Sequence, residues 1–338
     1  MTDRQLADFL VKVKLSERLD DRTLEDIQGQ VTVGPRTLAA LHKLVDESGA
    51  LAAGAPIEPP AKPRPIPPPT SEEQAAIIAD MREYALNYTD NLPDFICTQV
   101  TRRFGAPLPG TRYGGPANGD PRWQALDTLQ IRLSFFNKKE QYKVILMNSA
   151  VVNQDYEKVG GSKSFGEFGS MLREIFEPAS MARFEWDHWG TLRGKRVMAF
   201  RYHVPLDTSK YQLVVEDAKQ RIITAYTGLV EVEPDTHVVV RLTADAENIP
   251  PDFPMKSVTD VLDYDYQDLS GHTFLLPLKS RVLMQTADSI IKLDQEFRVY
   301  RKYSAESGIT YDAEPLAPLP EDKTKETKDP GQTPGKTR

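Results

Sequence analysis

The sequence predicts an α+β protein whose main body is a curved antiparallel β-sheet packed around helices, with a small helical module in front. Three observations predict this. From about residue 96 onward, apolar residues recur with period two in a series of short runs. Two other segments, 71–90 and 165–177, carry apolar residues at helical spacing instead. A proline-rich stretch, 51–70, separates all of this from residues 1–50.

Residues 1–50 form the module. Thr2 is placed to cap a first helix, with Gln5 closing a capping box, and Leu6, Phe9, Leu10 and Val13 follow at helical spacing. A second helix starts near Pro35 and carries Leu38, Leu41, Leu44 and Val45. A unit this short buries little surface and is marginal alone. In the linker, Pro56, Pro59, Pro60, Pro63, Pro65, Pro67, Pro68 and Pro69 leave few backbone donors and favour extended polyproline II, the property of a spacer.

The main body spans 71–312. Its first helix begins at Ser71 with Gln74 at the capping-box position, buries Ala75, Ile78, Met81, Ala85 and Tyr88, and stops before Pro93. Strands are expected near 96–103, 127–136, 140–147, 150–156, 182–191, 196–204, 210–216, 221–232, 236–246, 260–268, 273–286 and 289–301. In the last of these, Ile291, Leu293, Phe297 and Val299 share one face, and Lys292, Asp294, Glu296 and Arg298 take the other. Met198, Phe200, Tyr202 and Val204 alternate in the same way. One apolar and one polar face marks an antiparallel sheet with one side wet. Short connections at 192–195 and 270–272 indicate hairpins. A second helix, 165–177, takes Ser164 as its cap and Glu167 as the box partner, and Pro178 ends it. A sheet of so many strands curls, and the two helices are the natural filling of its concave side. The Gly- and Pro-rich loop 104–121 is expected to be either mobile and functional or simply disordered, and residues 313–338, without apolar periodicity, a disordered tail.

The chain has 338 residues and a net charge of −7, which lacks the basic footprint of a nucleic-acid binder. No apolar run approaches the length that crosses a bilayer. One cysteine, Cys97, allows neither an intrachain disulfide nor a multi-cysteine metal site. The first residues lead into a polar helical pattern rather than a basic start and an apolar stretch. As written this predicts a cytoplasmic chain, or a mature or mis-started form of an exported one.

No constellation for catalysis emerges. Cys97 lies among Phe95, Ile96 and Val100, as a buried inert thiol would. The five histidines are scattered, and none has a helical i, i+4 partner. His188 stands in Glu185-Trp186-Asp187-His188-Trp189, where alternation places Trp186 and His188 on one face of a strand packed with aromatics. Asp263 and Asp265 face the same way; an acid pair can serve hydrolysis or bind calcium, but the solvated face of a strand is the preferred reading. Gly160-Gly161-Ser162-Lys163-Ser164 lacks the spacing of a phosphate loop and reads as a turn before a capped helix. The expectation is therefore no enzyme, no cofactor and no metal site.

Several phrases are familiar together: Leu92-Pro93-Asp94-Phe95-Ile96-Cys97, residues 166–178, Ala225-Tyr226-Thr227-Gly228-Leu229-Val230, Leu262-Asp263-Tyr264-Asp265-Tyr266 and Phe274-Leu275-Leu276-Pro277. Over roughly 71–312 the chain resembles a group of acidobacterial proteins. More distantly, its strand pattern resembles the lipoprotein-carrier fold of LolA, LolB and RseB. That resemblance implies an antiparallel half-barrel closed by helices, a cavity for acyl chains, and a place in the periplasm or cell envelope. It transfers no functional residue. The resulting expectation is a non-enzymatic binding protein for an envelope lipid, lipoprotein or peptide, with Met198, Phe200, Tyr202, Val204, Ile291, Leu293, Phe297 and Val299 lining the cavity. The alternative is an interaction or structural protein with a filled β scaffold, whose N-terminal module binds a protein partner.

Overall fold

The structure, a computed structural model, describes residues 3–19, 23–24, 33–52, 66–216, 218–303 and 317–328. The chain divides into two compact units, Met1–Arg64 and Pro65–Arg338. The linker residues 53–65 and Thr2, the expected first cap, lie outside the described residues.

In the first unit, α1 (Asp3–Leu10) packs beside α2 (Pro35–Ser48). The start of α2 is capped from α1: the Asp3 carboxylate accepts from the Thr37 amide at 3.0 Å, the Arg36 amide at 3.2 Å and the Thr37 hydroxyl at 2.7 Å. Such bonds satisfy amides that the first helical turn leaves orphaned, and they hold the Asp3 carboxyl below its ordinary pKa, the Thr37 hydroxyl contributing most. α2 buries Ala40, Leu41 and Leu44, whereas α1 buries none of its residues and leaves Leu6 and Phe9 exposed.

The second unit opens with α3 (Ser71–Asn91). Its cap falls one residue earlier than expected. Thr70 and Glu73 form the reciprocal box, with the Thr70 amide donating to Glu73 Oε2 at 2.7 Å. Thr-x-x-Glu and Ser-x-x-Gln both fit the pattern, and the carboxylate is the stronger acceptor. The buried stripe is Ile77, Met81, Ala85 and Tyr88. α4 (Ser170–Phe176) is much shorter than the 165–177 helix anticipated, because Gly166 and Gly169 take φ values of 94° and 111° and interrupt it. Ser164 and Glu167 do pair, side chain to side chain at 2.8 Å, but ahead of the helix.

Gly169 also permits a close approach. A Cβ there would stand 2.8 Å from Tyr88 Cδ1 and 2.7 Å from Thr89 Cγ2 on α3. Gly169→Ala is therefore expected to cost roughly 2–4 kcal/mol from the left-handed backbone and overpacking together. A chemical-denaturation shift below about 1 kcal/mol would refute this.

The strands are β1 (Phe95–Pro107), β2 (Gln124–Phe136), β3 (Lys139–Met147), β4 (Ala150–Asp155), β5 (Arg183–Leu192), β6 (Lys195–Val204), β7 (Gln212–Val215), β8 (Gln220–Ile223), β9 (Ala225–Val232), β10 (Val239–Glu247), β11 (Ser257–Leu269), β12 (His272–Gln285), β13 (Ser289–Lys302) and β14 (Glu326–Lys328). Twelve of them form one antiparallel sheet in the order β14-β5-β6-β9-β10-β11-β12-β13-β1-β2-β3-β4, an open half-barrel. β7 and β8 form a separate hairpin. The run 221–232 is thus two strands, not one. Its break is Thr224, whose amide donates to Tyr211 O at 3.0 Å and whose carbonyl accepts from the Ser209 hydroxyl at 2.6 Å. The turns at Arg193-Gly194 and Ser270-Gly271 have positive φ at both positions, the twist that suits tight hairpins.

α3 and α4 lie on the concave side. Ile77, Met81, Ala85 and Tyr88 with Leu172, Ile175 and Phe176 pack against the inward residues of β6, β9, β10 and β11. A second cluster gathers Phe95, Cys97, Leu133, Phe135, Leu276 and Phe297 around Phe168. No helix among the described residues is long and apolar enough to cross a membrane.

Candidate functional site

The outer face of the sheet carries a row of charges. Strand registers place His188, Ala199, Glu231, Arg241, Asp263, Lys279 and Glu296 opposite one another across β5, β6, β9, β10, β11, β12 and β13. Alternation sends their neighbours Val230, Leu242 and Leu262 inward, beneath the helices. Signs alternate along the row from Glu231 to Glu296, the favourable arrangement for directly opposed strand residues. These five side chains and His188 are nonetheless only 1–8% exposed.

Arg241 is the hub. Its Nε and Nη2 each lie 2.8 Å from Asp263 Oδ1, and its Nη1 lies 3.7 Å from Glu231 Oε1. Arg193, on the β5–β6 turn, brings Nη1 to 3.6 Å from Asp263 Oδ1 and donates from Nη2 to Tyr264 O at 2.6 Å. Glu296 is held by Arg102 at 3.1 Å and by Arg298. At the other end His188 lies between Asp187 Oδ1 at 2.6 Å and Glu326 Oε1 at 2.8 Å. Burial pushes the Glu231 carboxyl up to about 7, against the pull of Arg241, and raises Asp263 too.

Residues 317–328 cross this row. Glu296 Oε1 accepts from the Leu319 amide at 2.9 Å. Arg193 Nη1 donates to Lys323 O at 3.5 Å, and Arg241 donates to Thr324 O. Glu326 then meets His188, with Arg241 Nη1 4.0 Å away, and β14 pairs with Gly190–Leu192 at the sheet edge. Gly190 makes room: a Cβ on it would stand 2.8 Å from Glu326 Oε1. Within the stretch expected to be a disordered tail, residues 317–328 carry a 3-10 turn (Glu321–Lys323) and β14. Main-chain bonds and one carboxylate hold this segment, so it needs no apolar periodicity. Residues 313–316 and 329–338 lie outside the described residues.

Other expectations change as well. A register shift between Trp186 and His188 turns them to opposite faces, Trp186 toward the core and His188 onto the outer row. Asp263 is not solvated but buried beneath two arginines. β1 runs through Pro107, taking the first residues of the loop predicted at 104–121. Burial raises the Cys97 thiol well above its ordinary value.

The residues anticipated as a cavity lining fall into separate places. Met198, Phe200, Tyr202 and Val204 face inward and are packed in the cluster that α3 and α4 complete. Leu293 and, half-buried, Ile291 pack with Leu213 of the β7–β8 hairpin and with Phe253. Phe297 meets Phe168, ring centroids 5.3 Å apart. Val299 is 45% exposed rather than on the shared face, because the β1–β13 register shifts there and Tyr300 takes the inward place. A cleft of about 330 Å³ beside α3 is lined by Asp80, Glu83, Tyr84, Asn87 and Asn91, too polar for an acyl chain.

The concave side also holds a buried polar cluster that the sequence did not disclose. Registers bring Thr101, Gln295 and Ser280 side by side, with Gln99 donating to the Thr101 hydroxyl at 3.1 Å and Ser280 to Asp260 Oδ1 at 3.3 Å. Burial lifts the Asp260 carboxyl to about 7 and Glu167 to about 8, the latter also repelled by Asp260 and Glu140. In the sequence Glu167 reads only as a capping partner and Glu296 only as one residue of a polar strand face, and nothing singles out Asp260, Glu231, Arg241 or Lys279. The available signal was a lone charge within a strand's apolar run, as in Val239-Val240-Arg241-Leu242 and Leu229-Val230-Glu231-Val232.

No family model and no curated protein matches the chain. It is similar to several solved structures. One is a domain named for outer membrane lipoprotein sorting from Vibrio parahaemolyticus, at 9% identity over 70% of this chain and 93% of that one, with a TM-score of 0.30. Another is a DUF1329 family protein from Desulfovibrio piger, at 10% identity over 69% and 95%, TM-score 0.29. A third is a LolA superfamily protein from Nitrosomonas europaea, at 9% identity over 67% and 94%, TM-score 0.28.

Proposed function

We propose that the protein is a non-enzymatic binding protein whose ligand is a polypeptide rather than a free acyl chain. Of the lipid, lipoprotein and peptide classes anticipated, the last is best supported by one observation: a buried charged row on the outer face holds a polypeptide segment, a 3-10 turn at Glu321–Lys323 leading into β14, largely through its main chain. The concave side, where an acyl chain would lie, is occupied by α3 and α4. For Met198, Phe200, Tyr202 and Val204 to line a pocket, α3 would have to lift and expose Ile77 and Met81, at roughly 1.5–3 kcal/mol for each such side chain. The N-terminal unit offers a second surface for a protein partner through Leu6, Phe9 and Val11, all exposed.

Titration of the full chain with a fluorescent fatty acid is expected to show no saturable binding, and native mass spectrometry no bound lipid. A saturable isotherm in the micromolar range would overturn the reading.

A further inference from the structure

We infer that the outer-face row is a docking site for a segment of another polypeptide that carries one well-placed Asp or Glu, and that residues 317–328 occupy it in cis as a built-in competitor. The inference rests on the polypeptide-binding reading and assigns that reading a surface and a ligand chemistry.

Three features carry it. First, the receptor side is built and the occupant is not. With residues 317–328 in place the charged residues of the row are 1–8% exposed, and arginines hold its carboxylates Glu231, Asp263 and Glu296, whereas none of residues 317–327 is buried. A segment that hides so little surface is held by a few hydrogen bonds, each worth little net against water, and is the exchangeable partner.

Second, recognition is mostly blind to sequence. Glu296 reads the amide of Leu319, and Arg193 and Arg241 read the carbonyls of Lys323 and Thr324. Any chain on the same path offers these groups. The side chain that is singled out is Glu326, whose carboxylate meets His188 and Arg241 over the space left by Gly190. The ligand therefore needs one Asp or Glu at that place, preceded by a chain that can make the single 3-10 turn of Glu321–Lys323.

Third, among the described residues the edge is only partly used. β5 is ten residues long, and β14 pairs with Gly190, Thr191 and Leu192. A longer segment can extend that pairing along β5, the strand-addition mode of peptide recognition.

The cis segment follows β13 through residues 304–316, so its effective concentration at the row is on the order of millimolar. A free peptide must compete with it. The test uses the full chain, a Glu326→Ala variant of it, and a labelled synthetic peptide of residues 317–328, with fluorescence anisotropy as the readout. Hydrogen exchange at the amides of Leu319 and of 326–328 reports whether the cis segment has loosened. The peptide is expected to bind the Glu326→Ala chain at least about tenfold more tightly than the wild type, since the competitor is weakened and the row is intact. A peptide carrying its own Glu326→Ala change is expected to lose about tenfold on that variant. Equal binding to both chains, or no saturation with the variant below about 1 mM once exchange shows the segment loosened, overturns the inference. If the segment stays protected in Glu326→Ala, Thr324→Pro in the same chain repeats the test, and continued protection with no peptide binding also overturns it. A fatty-acid titration of the same samples separates the outcomes: loss of peptide binding alone sinks this site, while saturable lipid binding sinks the polypeptide reading.

Discussion

Arg241→Met is expected to destabilise the β domain by about 3–5 kcal/mol, the cost of stranding buried charge by removing its partner. Arg241 is 6% exposed, and its guanidinium neutralises Asp263 and Glu231, themselves 2% and 1% exposed. Methionine fills much of the volume but leaves Glu231 without its arginine and Asp263 with the more distant Arg193, 3.6 Å away. For a domain of this size the loss corresponds to a fall in Tm on the order of 10 °C. The penalty is expected to be smaller at pH 5 than at pH 8. Glu231 already sits at about 7 and Asp263 is raised, so both can take up protons and shed the stranded charge. Arg241→Met combined with Asp263→Leu is expected to recover part of the loss, because an apolar replacement of a buried pair is often neutral. Thermal and urea denaturation at the two pH values measure all of this. A single-variant loss under about 1 kcal/mol would mean that the row is screened by solvent and is no buried network.

The wild-type protein is expected to lose stability as pH rises from 5 to 7.5. In an unfolded chain Asp and Glu ionise near pH 4. In the fold, burial holds Asp260 to about 7 and Glu167 to about 8. Between those limits the folded state keeps protons that the unfolded state has released, so stability falls by about 1.4 kcal/mol per pH unit per group. For Asp260 alone the loss between pH 5 and pH 7 is on the order of 2–3 kcal/mol. Carboxyls held low, such as Asp90 bonded by Lys138 and Asp155 bonded by Lys158, act the other way, but below about pH 4. Asp260→Asn preserves an acceptor for the Ser280 hydroxyl and removes the titration, so its pH profile is expected to be flatter. A wild-type Tm that is constant or rising from pH 5 to 7.5 would contradict the assignment.

Together these charges mark the boundary between what sequence and tertiary structure each decide. Period two in the strands, the apolar stripe of α3 and the positive-φ turns are local properties, set by side-chain alternation and backbone sterics within a few residues. They determined the antiparallel sheet and nearly every strand of it. The cap at Thr70, the short α4 and the bulges at His188 and Val299 each shifted a local reading by a few residues, since neighbours along the chain offer near-equal alternatives and packing chooses among them. The charged row was beyond local reading. Glu231, Arg241, Asp263, Lys279 and Glu296 come from five strands, and a lone charge in a strand looks the same whether it meets water or a counter-charge on the next strand. Residues 317–328 were harder still: the segment is ordered by hydrogen bonds to its backbone, which every residue possesses, so only the tertiary structure decided that a polar tail becomes a strap across the sheet.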